Sequence, residues 1–355
     1  MKNPLRFITA SALMVWLFLA GDISSQQGLH IMNTAQASES APVVSTFCSG
    51  HFQIDMPAGS VVSGGNYRYD YARLDAPKFM SHEEFETEMA AKEKTLRSTK
   101  HETEPSLLRL LVKPDRHSWI FVHWEHDFSE YIVLVDGYRW IDGTRFLFRS
   151  KAGMSKPPTG TKSYQEDAIE RMQAILAGLR KRSTHEIPKE PGYCFEGGFI
   201  ANPEWEMEEA GIDITIAGHP DAFVSVWFYP LARSAHSKPL LDRMGGVLQT
   251  LGQMATSVHV LRKGERQVGP YRGQEFLASA PSSRGMRGHK FIWETEGDGT
   301  LDTPALKIEL TTGYRDKNGN PQQTRLTDEQ AIKLWDDVLN SFRLRPVLDP
   351  QGSRP

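Results

Sequence analysis

The sequence predicts an α+β protein of two similar, duplicated domains, each a twisted, mainly antiparallel sheet with about two helices. Three observations carry that expectation. Phe47-Cys48 with Pro57, in FCSGHFQIDMP, returns as Tyr193-Cys194 with Pro203, in YCFEGGFIANP. Ile169, Met172, Ile175, Leu176 and Leu179 fall on Ile332, Trp335, Val338, Leu339 and Phe342 at a shift of 163, and both sets lie on one helical face. Between the helices the chain is rich in alternating β-branched and aromatic residues. The same order of Cys segment, helix and terminal helix in both copies argues for internal repetition.

From the N-terminus, Lys2 and Arg6 precede an apolar run from Phe7 to Ala20, and a polar stretch leads to Ala35-Gln36-Ala37. This is the pattern of a secretory signal, residues 1–37, cleaved after Ala37. The run is shorter than the roughly 20 residues of a spanning helix. No Cys follows it closely, so the mature chain is expected to keep no stable membrane anchor. Export would place Cys48 and Cys194 in an oxidising compartment, where thiols tend to pair. They share no CxxC, and a pseudo-twofold axis passing near their strands would let the two sulfurs meet and lock one domain against the other; paired and free thiols both stay open.

The first domain is set at 43–187. Strands are expected over 67–74, 107–112, 119–125, 131–135 and 145–149, with Asp136-Gly137 and Asp142-Gly143 as turns. Ser81 with Glu84 caps a helix carrying Phe85, Met89 and Leu96, and Ser163 with Glu166 caps the helix 163–180. Pro188 and Pro191 stop and extend the chain between Lys181 and Gly192. The second domain, 188–347, repeats the plan with strands over 212–217, 223–228, 258–261, 274–278, 290–294 and 305–310. Its helices carry Leu240, Met244 and Leu251, and Thr327 to Arg343, with Asp298-Gly299 and Asn318-Gly319 as turns. The shift between copies grows from 146 to 155 to 163, which puts longer loops in the second. Both helices of each copy are expected on one face of its sheet. Residues 348–355 read as a disordered tail.

The 41 Lys and Arg against 44 Asp and Glu, net charge -3, contain no long basic run, which argues against nucleic acid as a partner. GxSxG, HExxH, P-loop and GxGxxG patterns are absent from the sequence. His117, His123 and His126 with Glu125 and Asp127 are the densest set of potential ligands, but strand alternation does not converge them, and they read as a half-exposed strand end. Asp316 to Asn320 departs from a calcium loop in the place of its glycine and in Thr327 where a Glu belongs. No catalytic residue, metal ligand or cofactor is assigned.

FCSGHFQIDMP, the GYCFEGGFI segment from Gly192 to Ile200 and the terminal LWDDVLNSFRLRP resemble the immunity proteins that protect Gram-negative bacteria against type VI secreted lipase effectors, in the Tle-cognate family of the fourth group. The resemblance implies a periplasmic, non-enzymatic protein, a monomer in a one-to-one complex with a phospholipase effector, whose active-site mouth its two domains cover. The expected contacts are Tyr138 and Trp140, and the acidic segment Glu204, Trp205, Glu206 and Glu208, since Tyr and Trp favour interfaces. The alternative is a periplasmic lipid- or glycan-binding envelope protein, whose sign would be an apolar pocket inside one domain. An exported hydrolase with an unfamiliar site is the third reading.

Overall fold

The computed structural model describes residues 44–155, 162–202, 207–230, 238–281, 285–300, 303–313, 320 and 322–347. The expected signal segment, the tail, the turn at Asn318-Gly319 and most of the 316–320 loop lie outside them.

The first half opens with β1 (Val44–Ser49) and β2 (Phe52–Pro57), then β3 (Val61–Tyr69), β4 (Ala72–Leu74), the short β5 (Lys78–Phe79) and α1 (His82–Ser98). It continues with β6 (Leu108–Asp115), β7 (Ser118–Trp124), β8 (Ile132–Ile141), β9 (Thr144–Gly153), α2 (Tyr164–Gly178) and β10 (Leu179–Lys181). The second half runs β11 (Gly192–Phe195), β12 (Gly198–Ala201), β13 (Glu208–Ile216), β14 (His219–Tyr229) and α3 (Leu240–Leu251), followed by one 3₁₀ segment, Gly252–Ser257. Then come β15 (His259–Val268), β16 (Tyr271–Pro281), β17 (Arg287–Glu294), β18 (Ala305–Thr311), α4 (Asp328–Ser341) and β19 (Arg343–Leu344).

Among the described residues thirteen strands form one sheet, in the order β6-β7-β8-β9-β4-β3-β13-β14-β18-β17-β16-β15, with β5 pairing β9 at the side. Read outward from the central β3–β13 pair, the two halves give the same sequence of strands. The seam is antiparallel, from Glu208 opposite Tyr69 to Thr215 opposite Val61. Three helices begin with full capping boxes, at Ser81, Ser163 and Thr327, which satisfies N–H groups that no helical carbonyl can reach.

The helices lie on opposite faces of the sheet, a correction to the expectation of one face. Phe85, Met89 and Leu96 of α1 pack with Trp119, Phe121, Tyr138 and Leu147. Met172, Ile175 and Leu176 of α2 pack in the main core with Ile120, Val122, Val135, Phe146 and Phe148. Successive strand residues point to opposite faces, so β7, buried at every position, serves both layers. Its continuous apolar run is the mark of a strand covered on both sides. The second half repeats this, with Leu240 of α3 against Phe276 and Ile292 and Trp335 of α4 in the core that holds Leu277 and Phe291.

Asp142-Gly143 turns the chain between β8 and β9 as expected, but Asp136-Gly137 lies inside β8. Packing explains that glycine: a Cβ at 137 would stand 2.2 Å from the Met172 sulfur.

The halves also exchange their ends. β10 leaves α2 and adds to β12 of the second half, while β19 leaves α4 and adds to β2 of the first. The two opening hairpins meet directly: Gly50 N–H donates to the Cys194 carbonyl at 2.8 Å, Cys194 N–H returns a bond at 2.9 Å, and Cys48 and Cys194 are joined by a disulfide. One arginine braces each side. Arg182 donates to the carbonyls of Cys48, Glu186, Phe195 and Gly198. Arg345 donates to those of Pro188, Glu190 and Gly192, the last at 2.6 Å. Both side chains are interior. Desolvation lowers the pKa of both, that of Arg345 to about 10.

Candidate partner-binding surface

The antiparallel pairing brings several loops to one edge of the sheet. β3 ends there at Tyr69 opposite Glu208, β8 begins there with Ile132 opposite Gly153, and α2 starts nearby, since the Tyr164 N–H donates to Ser155. On this edge stand large apolar side chains that the fold does not bury: Phe128 at 63% exposure, Tyr131 at 74%, Tyr71 at 60%, and the less open Tyr164 and Met207.

Short contacts tie them into one rim. The Met154 N–H donates to the Tyr131 carbonyl at 2.9 Å, and a Cβ at Gly153 would meet the Tyr164 ring at 3.7 Å. Tyr164, Asp167 and Arg171 follow one outward stripe of α2 at helical spacing. The Arg171 guanidinium sits 5.3 Å from the Tyr71 ring centre and pairs with Asp167 and Asp70. The Asp70 N–H donates to the Met207 carbonyl at 2.8 Å, so the rim crosses from the first half to the second. His126 stacks on Phe128, and Lys151 pairs with Glu125 beside them. Aromatic rings, Met and Arg in this mixture are what protein interfaces favour.

The described residues among those expected from sequence contribute little surface. Tyr138 is 4% exposed, an interior side chain against Phe121 with Lys92 over its ring, and burial raises its pKa. Glu208 is 2% exposed and pairs with His51 at 2.7 Å across the join of the two halves. Both are corrected: β-alternation turns them inward, and they present no surface in the free protein. Trp140 is partly buried, its indole donating to the Met80 carbonyl at 2.9 Å between His82 and His117. Glu204, Trp205 and Glu206 lie outside the described residues. His123 is buried, with its ring near the Trp124 carbonyl and Asp136, so it belongs to the core and not to a half-exposed strand end. Among the described residues no group of three His, Cys, Asp or Glu side chains could hold a metal ion.

Local sequence pattern does not single out Tyr71, Phe128, Tyr131 and Tyr164 as a surface. The loop from His126 to Tyr131 carried a usable signal, two aromatics in a polar stretch too short to bury them; the Asp70-Tyr71 turn carried none, since it has no glycine. A cleft of about 430 Å³ beside the disulfide is lined by Phe47, Tyr67, Arg182, His185, Glu196 and Ile212. Its lining draws on both halves and includes the ionisable side chains of Arg182, His185 and Glu196, unlike the apolar pocket inside one domain expected of a lipid carrier.

The class that the fold defines is a two-part α+β protein whose halves repeat one strand order around a shared seam. Residues 45–182 match the N-terminal domain of Tle cognate immunity protein 4, and residues 186–347 match its C-terminal domain. The chain belongs to the Tle cognate immunity protein 4 family. It is similar to the apo immunity protein TplEi of the T6SS from Pseudomonas aeruginosa, with 26% identity and a TM-score of 0.72 over 86% of this chain and 98% of that one. It is equally similar to a chain of the Tle4-Tli4 complex crystal structure, with 26% identity and a TM-score of 0.73 over the same shares. The Pseudomonas aeruginosa TplEi complexed with an "L" peptide gives 27% identity and 0.67 over 86% and 99%. No curated protein matches.

Proposed function

We propose that this chain is a periplasmic, non-enzymatic inhibitor that binds a cognate type VI secreted lipase of the Tle4 kind one to one, covers its active-site mouth, and so protects the producing cell and its kin. The observation that carries this reading is the likeness of nearly the whole described chain to the structure of a Tle4-Tli4 complex. A lipase must open an apolar mouth to reach lipid, and an extended aromatic rim fits such a surface better than a pocket does. A disulfide suits an oxidising compartment, and among the described residues no helix is long and apolar enough to cross a membrane. Two halves locked together present their loops already ordered, which lowers the entropy lost on binding.

The test is the phospholipase activity of the lipase encoded beside this gene, with and without an equimolar amount of residues 38–355. Activity should fall stoichiometrically, and the inhibitor alone should release no fatty acid from phospholipid. Undiminished activity with no complex by calorimetry would sink the reading.

A further inference from the structure

The turn between β3 and β4 has φ of +44° at Asp70 and +65° at Tyr71. A hairpin turn with both central residues in the left-handed region calls for Asn-Gly or Asp-Gly, because any Cβ is crowded there. The chain obeys this at the turn between β8 and β9, where Asp142 and Gly143 have φ of +44° and +79°. Among the described residues the non-glycine positions with positive φ are Asp70, Tyr71 and Asp142. Short polar Asp tolerates that region, whereas an aromatic residue there is strained.

Strain of this kind persists where the surrounding structure holds it and the side chain has a use. The Tyr71 ring is not used for packing, since it is largely exposed. Its backbone is held by the bond from Asp70 to Met207, and its ring carries Arg171 at 5.3 Å. Cations around it are matched by anions, Arg171 by Asp167 and Asp70 and Lys151 by Glu125. A charge-balanced rim with a net charge of -3 for the chain does not attract an anionic bilayer, but it complements a protein surface of mixed polarity around an apolar recess.

Resting on the proposed function, we infer that Tyr71 is the anchor of the effector contact: its ring enters an apolar recess of the folded lipase, with Arg171 and Met207 flanking it and Phe128, Tyr131 and Tyr164 extending the interface along the rim.

Tyr71→Gly tests this, because glycine relieves the turn while deleting the ring. With the full mature chain and the cognate lipase, calorimetry should show affinity weakened at least about tenfold, with Tm unchanged or raised, and Tyr71→Phe should stay within about threefold of wild type. Affinity of Tyr71→Gly within about twofold of wild type overturns the inference. So does a lowered Tm, which would make the ring a structural support. Loss of binding to phosphatidylglycerol vesicles with unchanged lipase affinity would reassign the rim to membrane and also overturn it. A wild-type chain that binds no lipase marks failure of the proposed function instead.

Discussion

The two halves build the same strand order outward from one seam, yet they treat its two hairpin turns differently. Asp70-Tyr71 follows β3, and Ala217-Gly218 stands at the equivalent place after β13; Tyr71 has φ +65° and Gly218 +77°. At the second position both turns are left-handed, and there the second half supplies the residue that adopts this conformation without strain; at the first position Asp70 is left-handed and Ala217 is not. Exposure follows the same division. Among the described residues every exposed large aromatic, Tyr71, Phe79, Phe128, Tyr131 and Tyr164, belongs to the first half, while the second exposes only Met207, Val247, Val260 and Leu344. Duplication therefore accounts for the scaffold, and divergence between the copies accounts for the exposed aromatic rim proposed as the partner surface.

The largest effect should come from breaking the tie between the copies. The disulfide joins residues 146 apart in sequence, and closing so long a loop restricts the unfolded chain. Replacing Cys48 and Cys194 together by Ser should cost about 2–5 kcal/mol, read as a lower urea midpoint. Because each terminal strand adds to the other half's hairpin, unfolding should remain a single transition. Two separated transitions would show that the copies are independent units and that the exchanged strands couple them weakly.

A smaller effect distinguishes a buried carboxylate in each half. Burial works to raise the pKa of Asp136, but hydrogen bonds from His123 and Lys92, the latter at 2.8 Å, prevail and hold it below its ordinary value. Burial also raises the pKa of Glu294, and there Arg243 does not overcome it. A depressed folded pKa gives stability that is present above the unfolded value of 3.8 and lost as pH falls through the folded one. A raised pKa has the opposite sign: it costs stability above the folded value, and the cost fades as pH falls. Asp136→Asn should therefore lose about 2 kcal/mol at pH 7, a loss that narrows at pH 3. Glu294→Gln should lose less than about 1 kcal/mol at pH 7. Equal losses by urea denaturation at pH 7 would mean that the two sites do not differ in sign.

What was legible in the sequence followed local rules. Ser81, Ser163 and Thr327 start helices because a hydroxyl three residues before Glu or Gln satisfies the first turn. The apolar stripe of α2 returns in α4 because both bury one face. Gly137 was misread as a turn because the reason for it, Met172, lies 35 positions away in sequence. The same limit hid the opposite placement of the helices, the strand exchange and the burial of Tyr138 and Glu208, each decided by pairing between distant segments. The rim was hidden for another reason. Composition marks Tyr and Trp as interface residues, but only the folded sheet shows that Tyr138 turns inward while Tyr131 stands 74% exposed.

The smallest effect isolates the turn itself. A Cβ at Gly218 would meet nothing within 4 Å, so a side chain there costs only backbone strain, whereas at most glycines crowding would be added. Gly218→Tyr should lower stability by about 1 kcal/mol, a fall in Tm of roughly 2 °C for a chain of this size, and leave inhibition of the lipase unchanged because this turn lies at the opposite edge of the sheet from the rim. Such a variant would carry in the second half the strain that Tyr71 carries in the first, without a partner to meet its ring. If instead its Tm matches wild type, the left-handed turn tolerates an aromatic freely. Tyr71 in its left-handed turn would then require no use for its side chain, and exposure alone would not make its ring an anchor.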